Sequence, residues 1–193
     1  MNVKKVLKLL FRLCGVPVLR GIAPLFYKKE LLRGRYFDDS LEGWLWVFRG
    51  FWFQKILGFN RHLPFPASSH VHVSDPQNLI LGSNVLNNFQ SFGIYFQNFS
   101  GKIHLGNDCY IGPNVGLITA NHDLSDPSKH LPGKDIIIGA RCWVGMNSVI
   151  MPGVVLGEGT VVAAGSVVTK SFPEGNVLLA GSPVKVMKEI INS

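Results

Sequence analysis

The groups in this chain best able to do chemistry are among its imidazoles and thiols: His70, His72, His104, His122 and His130, with Cys14, Cys109 and Cys142. An imidazole can hold a metal ion or move a proton near neutral pH. A catalytic zinc site needs three protein ligands converging on one point. His122 is the candidate for proton transfer, because it closes a six-residue unit, LITANH, just before a break in the chain's periodicity. The plainer alternative is a corner histidine that only satisfies a hydrogen bond. His104 lies eighteen residues earlier and would share a face with His122 if the chain coils regularly. It reads as a structural residue or as half of a metal pair. Three cysteines without C-x-x-C spacing make neither a disulfide framework nor a zinc knuckle, which fits a reducing, cytoplasmic compartment.

The elements that must position these groups show themselves in a short period over residues 66–173. Read in sixes from Leu105, the chain gives LGNDCY, IGPNVG and LITANH; the frame resumes at Ile138 with IGARCW, VGMNSV, IMPGVV, LGEGTV, VAAGSV and VTKSFP. All nine first positions are Ile, Leu or Val, and five second positions are Gly. A helix repeats at 3.6 residues and an alternating strand at two, so neither explains six. Three short parallel strands per eighteen residues, joined at corners, do explain it: a triangular coil of about five turns with the aliphatic residue inside. Gly at the second position then serves the corner backbone. Cys109 and Cys142 share the fifth position on adjacent turns and should stack inside as small buried hydrophobes, about 4.8 Å apart. Trp143 closes its hexapeptide and is too large for the interior, so it should project outward.

Two stretches fall outside the frame. Residues 123–137, DLSDPSKHLPGKDII, carry Pro, Gly, Ser and Asp and read as a loop leaving the coil. Residues 174–193 form a tail, with Ser182 and Pro183 as the start of a short helix running through Ile190.

Residues 1–65 are basic, aromatic and free of repeats. The first 35 hold nine Lys or Arg and one acid, Glu30, hence +8 of a net +7, leaving −1 for the rest. A nucleic-acid binder carries its basic stripe on the folded body, so this partner class is set aside. Lys4, Lys8 and Arg12 fall on one side of an expected helix, with Val3, Val6, Leu7 and Leu10 largely on another. With six aromatics in WLWVFRGFWF, this segment is expected either to cap the coil or to contact an anionic membrane surface through residues 1–35. No uncharged apolar run approaches the ~20 residues of a membrane span.

The stretch from IGARCWVG through VVAAGSVVTK to GSPVKVMKEI, together with TANHD, resembles the hexapeptide-repeat acyltransferases. The likeness is greatest to the galactoside and maltose acetyltransferases and the colanic-acid-type polysaccharide O-acetyltransferases, and it covers roughly residues 70–190. It implies a left-handed parallel β-helix, all-β with an N-terminal helical and aromatic segment, assembled as a homotrimer with sites between neighbouring coils. It further implies acetyl-CoA as co-substrate and no metal, with His122 as the general base. Trp143, Met146, Ala164, Thr169, Lys170 and Lys185 match positions along the coenzyme groove, with Lys188 a further basic position there. Relatives often carry Ala or Ser where this chain has Met146. Asn98 matches an acceptor-binding position or caps a turn, and Asn121 and Asp123 flank the base and would orient it or the sugar.

The resemblance therefore implies transfer of an acetyl group from acetyl-CoA to a sugar hydroxyl of a cell-surface polysaccharide or its precursor, in the cytoplasm or at the inner face of its membrane. Other acceptors stay open, namely a nucleotide-linked amino sugar or serine. A zinc hydratase of the γ-carbonic-anhydrase type shares the fold, but its H-x4-H spacing is missing here. A non-enzymatic trimeric scaffold is the remaining alternative.

Overall fold

A computed structural model describes residues 3–190; Met1, Asn2 and the last three residues lie outside the described part. The chain divides into two compact units, Met1–Ser69 and His70–Ser193.

The first unit is helical. Helix α1 (Val3–Leu10) continues through a wider π turn (Phe11–Gly15) into α2 (Val16–Ile22). Helix α3 (Glu42–Gly50) runs on in the same way through Phe51–Ile56. The unit's core is aromatic: Tyr27, Phe37, Trp44, Trp46 and Phe65 are buried, and Phe37 meets Trp44 edge to face at 5.4 Å. Gln54 is fully buried in the same unit. Its amide oxygen accepts from the Tyr27 hydroxyl and from Ala67 N, each at 3.0 Å, and its amide nitrogen donates to the Asn60 and Phe65 carbonyls. A buried amide so fully paired fixes one arrangement of the surrounding loops. The expected N-terminal helix is present, but no residue of α1 is buried.

The second unit is a left-handed parallel β-helix with three faces. The first face stacks β1 (His72–Val73), β3 (Tyr95–Gln97), β6 (Gly116–Ile118), β9 (Val149–Ile150) and β12 (Val167–Val168). The second stacks β2 (Leu79–Leu81), β4 (Ile103–Leu105), β7 (Ile136–Ile138) and β10 (Val155–Leu156). The third stacks β5 (Tyr110–Ile111), β8 (Trp143–Val144), β11 (Val161–Val162) and β13 (Val177–Gly181). Along the clean repeat the register advances eighteen residues per turn, as in Ile138 to Leu156 and Val144 to Val162. First-position residues point inward: Leu105, Leu117, Ile138, Val144, Ile150, Leu156, Val162 and Val168 are all buried. The small fifth position is also inside, where Ser148 and Thr160 donate to the Ala163 and Gly157 carbonyls at 3.0 and 2.7 Å.

Left-handed backbone falls on the fourth position of the hexapeptide rather than the second: Asp108, Asn114, Arg141, Asn147, Gly153 and Gly159 all have positive φ. The second-position glycines have another cause. A Cβ on Gly139 would stand 2.7 Å from Glu158 N, and one on Gly112 would stand 2.7 Å from Met146 N. Successive turns touch there, backbone on backbone. Asparagine, aspartate and glycine serve the corner because they tolerate the left-handed region.

Upstream the frame is blurred because the turns are longer. Leu81 pairs with Leu105, twenty-four residues on, and Tyr95 with Gly116, twenty-one on. Part of the excess is a 3-10 turn at Leu86–Phe89, which stands where the third face would have its first strand. Asn88 substitutes for that strand: its buried side chain accepts from Ile111 N at 2.8 Å and donates to Cys109 O at 3.1 Å.

The expected C-terminal helix is not there. Residues Val184–Glu189 form a strand, β14, antiparallel to β13, with Ala180 opposite Lys185. The free edge of β13 offers backbone groups that a strand satisfies and a helix would leave unpaired. Val184 closes the turn by burying its side chain.

Candidate active site

His122 follows β6 at the corner between the first and second faces, where the chain leaves the coil. Leu105 pairs with Ile138, thirty-three residues on, against eighteen in a regular turn, so fifteen residues are inserted. The insertion is a zipped arm rather than an irregular loop. Lys134 N donates to Thr119 O, Leu131 N to Asn121 O and Asp123 N to Lys129 O, all at 2.8–2.9 Å. His122 and His130 stand opposite each other across this arm, with ring centroids 4.2 Å apart. His130 also meets Phe99 edge to face at 5.0 Å.

The tip of the arm holds the His122 ring. Its Nδ1 lies 2.7 Å from the carbonyl oxygen of Pro127. A carbonyl only accepts, so Nδ1 carries the hydrogen and, in the neutral ring, Nε2 carries the lone pair. The tip is fixed in turn by two aspartates. Asp123 accepts from the Ser125 amide and hydroxyl at 2.8 and 2.5 Å. Asp126 accepts from the Ser128 hydroxyl at 2.6 Å and pairs with Lys129 at 2.9 Å. These bonds, the Ser125 and Ser128 hydroxyls first, hold both carboxyls below the usual carboxylate range. Asp123 thus turns toward its own loop, and it is Pro127 that orients the imidazole.

Asn121 and Thr169 come together in a cleft of about 260 Å3 beside this corner, with Leu131, Pro132, Lys134, Met151 and Pro152. Lys170 follows Thr169 and places its ammonium 5.5 Å from the Phe172 ring. The other groove candidates lie elsewhere on the prism. Trp143 is exposed on the third face, between Tyr110 and Val161 in the ladder. Met146 and Ala164 occupy the corner after that face on successive turns, both exposed. Lys185 and Lys188 are on β14 at the end of the third face, opposite Ala180 and Leu178. Within one chain, then, His122, Asn121, Thr169 and Lys170 share one corner, whereas Trp143, Met146, Ala164 and Lys185 belong to another face and its edge.

Two expectations are corrected. Asn98 is fully buried, its oxygen accepting from Asp75 N at 3.1 Å and its nitrogen donating to Asp75 O at 2.6 Å. It holds a turn and presents no group to an acceptor. His104 is not on the His122 corner: the insertion shifts the register, so its neighbours on the second face are Ile80 and Ile137, and its Nε2 approaches Asp135 at 3.8 Å. Among the described residues, no three His, Cys, Asp or Glu side chains converge as metal ligands. The sequence reading named His130 as an imidazole but did not bring it beside His122, and it did not single out Lys134. The signal for them was the eight-residue spacing of the two histidines about a D-x-S-D-P-S turn, which reads as a hairpin once His122 is placed on one arm.

Comparison with known proteins gives a family-model match over residues 135–170 to the bacterial transferase hexapeptide, six repeats. The galactoside O-acetyltransferase of Escherichia coli K12 is 33% identical over 123 residues, 62% of this chain and 58% of that one. Among solved structures, a maltose O-acetyltransferase of Clostridium difficile 630 superposes with a TM-score of 0.55 at 30% identity, covering 63% of this chain and 64% of that one. A hexapeptide-repeat acetyltransferase of Vibrio cholerae O1 biovar eltor, complexed with acetyl coenzyme A, gives 0.57 at 27% identity, with 63% and 66% covered. The chain spans about half to just under two thirds of the length of the curated relatives it matches.

Proposed function

We propose that this member of the hexapeptide-repeat acyltransferase superfamily transfers an acetyl group from acetyl-CoA to a hydroxyl of a sugar, in a cell-surface polysaccharide or its precursor, with His122 as general base. The observation that carries the reading is the 2.7 Å bond from His122 Nδ1–H to the Pro127 carbonyl. It leaves the Nε2 lone pair as the proton acceptor. As the sugar oxygen attacks the thioester carbonyl carbon, Nε2 takes the hydroxyl proton. The C–O bond forms, the C–S bond breaks, and the proton passes to the departing sulfur as CoA-SH. No bond to the enzyme is made.

The division of the candidate residues between two edges of the prism supports a homotrimer. A neighbouring copy that sets its Trp143 and Met146 edge against the His122 corner would complete a coenzyme groove. Thr169 and Lys170 would line that groove from the His122 side, and Lys170 suits a phosphate. Asn121, in the cleft beside the base, and Asp123, on the rung next to the arm's tip, are the acceptor-side candidates. We place the reaction in the cytoplasm or at the inner face of its membrane, a reading that the three unbridged cysteines fit.

The test is release of free thiol from acetyl-CoA against a panel of sugars and lipid-linked glycans, with His122→Ala beside the wild type. Acceptor-dependent release that falls about 100-fold or more in the variant supports the reading. Equal release by both proteins overturns the role of His122. Light scattering that shows a monomer overturns the shared groove.

A further inference from the structure

An amphipathic helix in a folded unit turns its apolar stripe inward and leaves a polar face to water. The second helix buries one stripe, Trp44, Trp46 and Val47, and the first buries only Val16 and Leu19 near its end; both expose an apolar row. Along the first, the exposed row is Val3, Leu7, Leu10 and Val18, with Leu7 60% and Leu10 51% exposed. Along the second it is Leu45, Phe48, Trp52, Phe53 and Ile56, with Trp52 51% and Phe53 47% exposed. The two rows approach each other where Phe11 of the first helix meets Phe48 of the second at 6.3 Å, and Phe26, beyond the first helix, meets Phe51 at 5.9 Å. Nine large apolar side chains are thus exposed on two helices of one unit, more than singly scattered surface residues account for.

Charge says what covers them. Residues 1–69 carry twelve Lys and Arg against four acids, a net +8, while the coil carries seven against eight. Arg49 stands inside the second row, and Lys5, Lys8, Arg12 and Arg20 line a cleft of about 730 Å3 whose acids, Asp38, Asp39 and Glu42, are fewer. A second copy of the same unit would bring another +8 against the first, so like charge opposes self-association through this surface. An anionic lipid surface meets both features: phosphates for the cations, and the shallow acyl region for Trp, Phe and Leu. Among the described residues, no helix is long and apolar enough to cross a membrane.

We propose that the helical unit lies in the surface of an anionic bilayer, inserting the rows that contain Leu7, Leu10, Trp52 and Phe53 while its lysines and arginines face lipid phosphates. This sharpens the expectation for residues 1–35 alone, because half of the inserting surface comes from residues 45–56. It does not depend on acetyl transfer, since binding is read without acceptor or acetyl-CoA.

The experiment is co-sedimentation of the full chain with phosphatidylcholine vesicles, with and without phosphatidylglycerol. The variant is Leu7→Glu, Leu10→Glu, Trp52→Ser and Phe53→Ser together. These side chains are exposed, so circular dichroism should show an unchanged fold. Wild-type protein should pellet with the anionic vesicles and much less with neutral ones, and the variant should lose at least about tenfold in affinity. Absence of pelleting, equal pelleting on neutral vesicles, or undiminished pelleting of the variant overturns the proposal. So does a change in molecular mass between wild type and variant by light scattering, which would put a second copy on this surface.

Discussion

Pro127 holds His122 from within the segment that His122 itself begins: the 2.7 Å bond from imidazole Nδ1 closes a loop of six residues on its own first member. The orientation of the candidate base is therefore a property of the arm's tip, and changes at the tip should be read out as changes in rate.

Asp126→Ala removes the acceptor for the Ser128 hydroxyl and the partner of Lys129, so the Pro127 carbonyl loses its mooring. The turnover number should fall about threefold to tenfold with little change in KM for acetyl-CoA. Acid should loosen the tip of the wild type as well. Because the folded pKa of Asp126 is depressed, its contribution to loop order is complete above the ordinary carboxylate value and is lost as pH falls through the lowered one. A rate equal to wild type in Asp126→Ala would separate the tip from the base.

The glycines of the second hexapeptide position can be tested against those of the fourth. Gly139→Ala puts a methyl group 2.7 Å from Glu158 N, between two backbones that have no room to part. It should cost about 1–3 kcal/mol in urea unfolding. Gly165 has a φ of +71° and open space around its missing side chain. Asparagine fills the equivalent place at Asn147, so Gly165→Asn should stay within about 1 kcal/mol of wild type. The reverse order of stabilities would mean that the second position is a conformational requirement after all.

Asn88→Ala strips Ile111 N and Cys109 O of their buried partner and should destabilise the coil by about 1–3 kcal/mol. Urea unfolding of the purified variant measures it, and an unchanged midpoint would show that Asn88 does not stand in for a strand.

Thiol chemistry should distinguish the three cysteines. Cys14 is exposed; Cys109 and Cys142 are buried and unbridged. Burial pushes the Cys109 thiol up to about 12 and moves Cys142 in the same direction. Aromatic disulfide reagents should count one thiol per native chain and three after denaturation. Three fast thiols in the native protein would mean that the coil opens at its third face.

The coil could be read from the sequence wherever turns are exactly periodic, because inward aliphatics at every sixth place leave a mark that no other fold leaves. Legibility failed where the chain compensates with single side chains. Asn88 replaces a strand, Asn98 closes a turn, and neither act has a period. It failed again at Ser182–Pro183, where local preference suggested a helix start but the unpaired edge of β13 decided for a strand. The insertion was visible as a break in frame, and its zipped interior was not, since three backbone bonds between its arms are independent of side-chain type. Of the site candidates, the sequence could name types but not edges of the prism, and the division of His122 from Trp143 follows only from the register.

Every parallel turn of such a coil presents, at its end, the same edge that it used to receive the turn before. A stack of that kind has no internal reason to stop and could template another chain as readily as its own next strand. On the third face β14 runs against the grain. By reversing direction at Gly181 it meets β13 with the opposite polarity, so an incoming parallel strand finds the docking edge already taken. The hairpin is thus a growth terminator as much as an ornament of the last turn: it turns a repeat with the geometry of a fibre into an object of finite length.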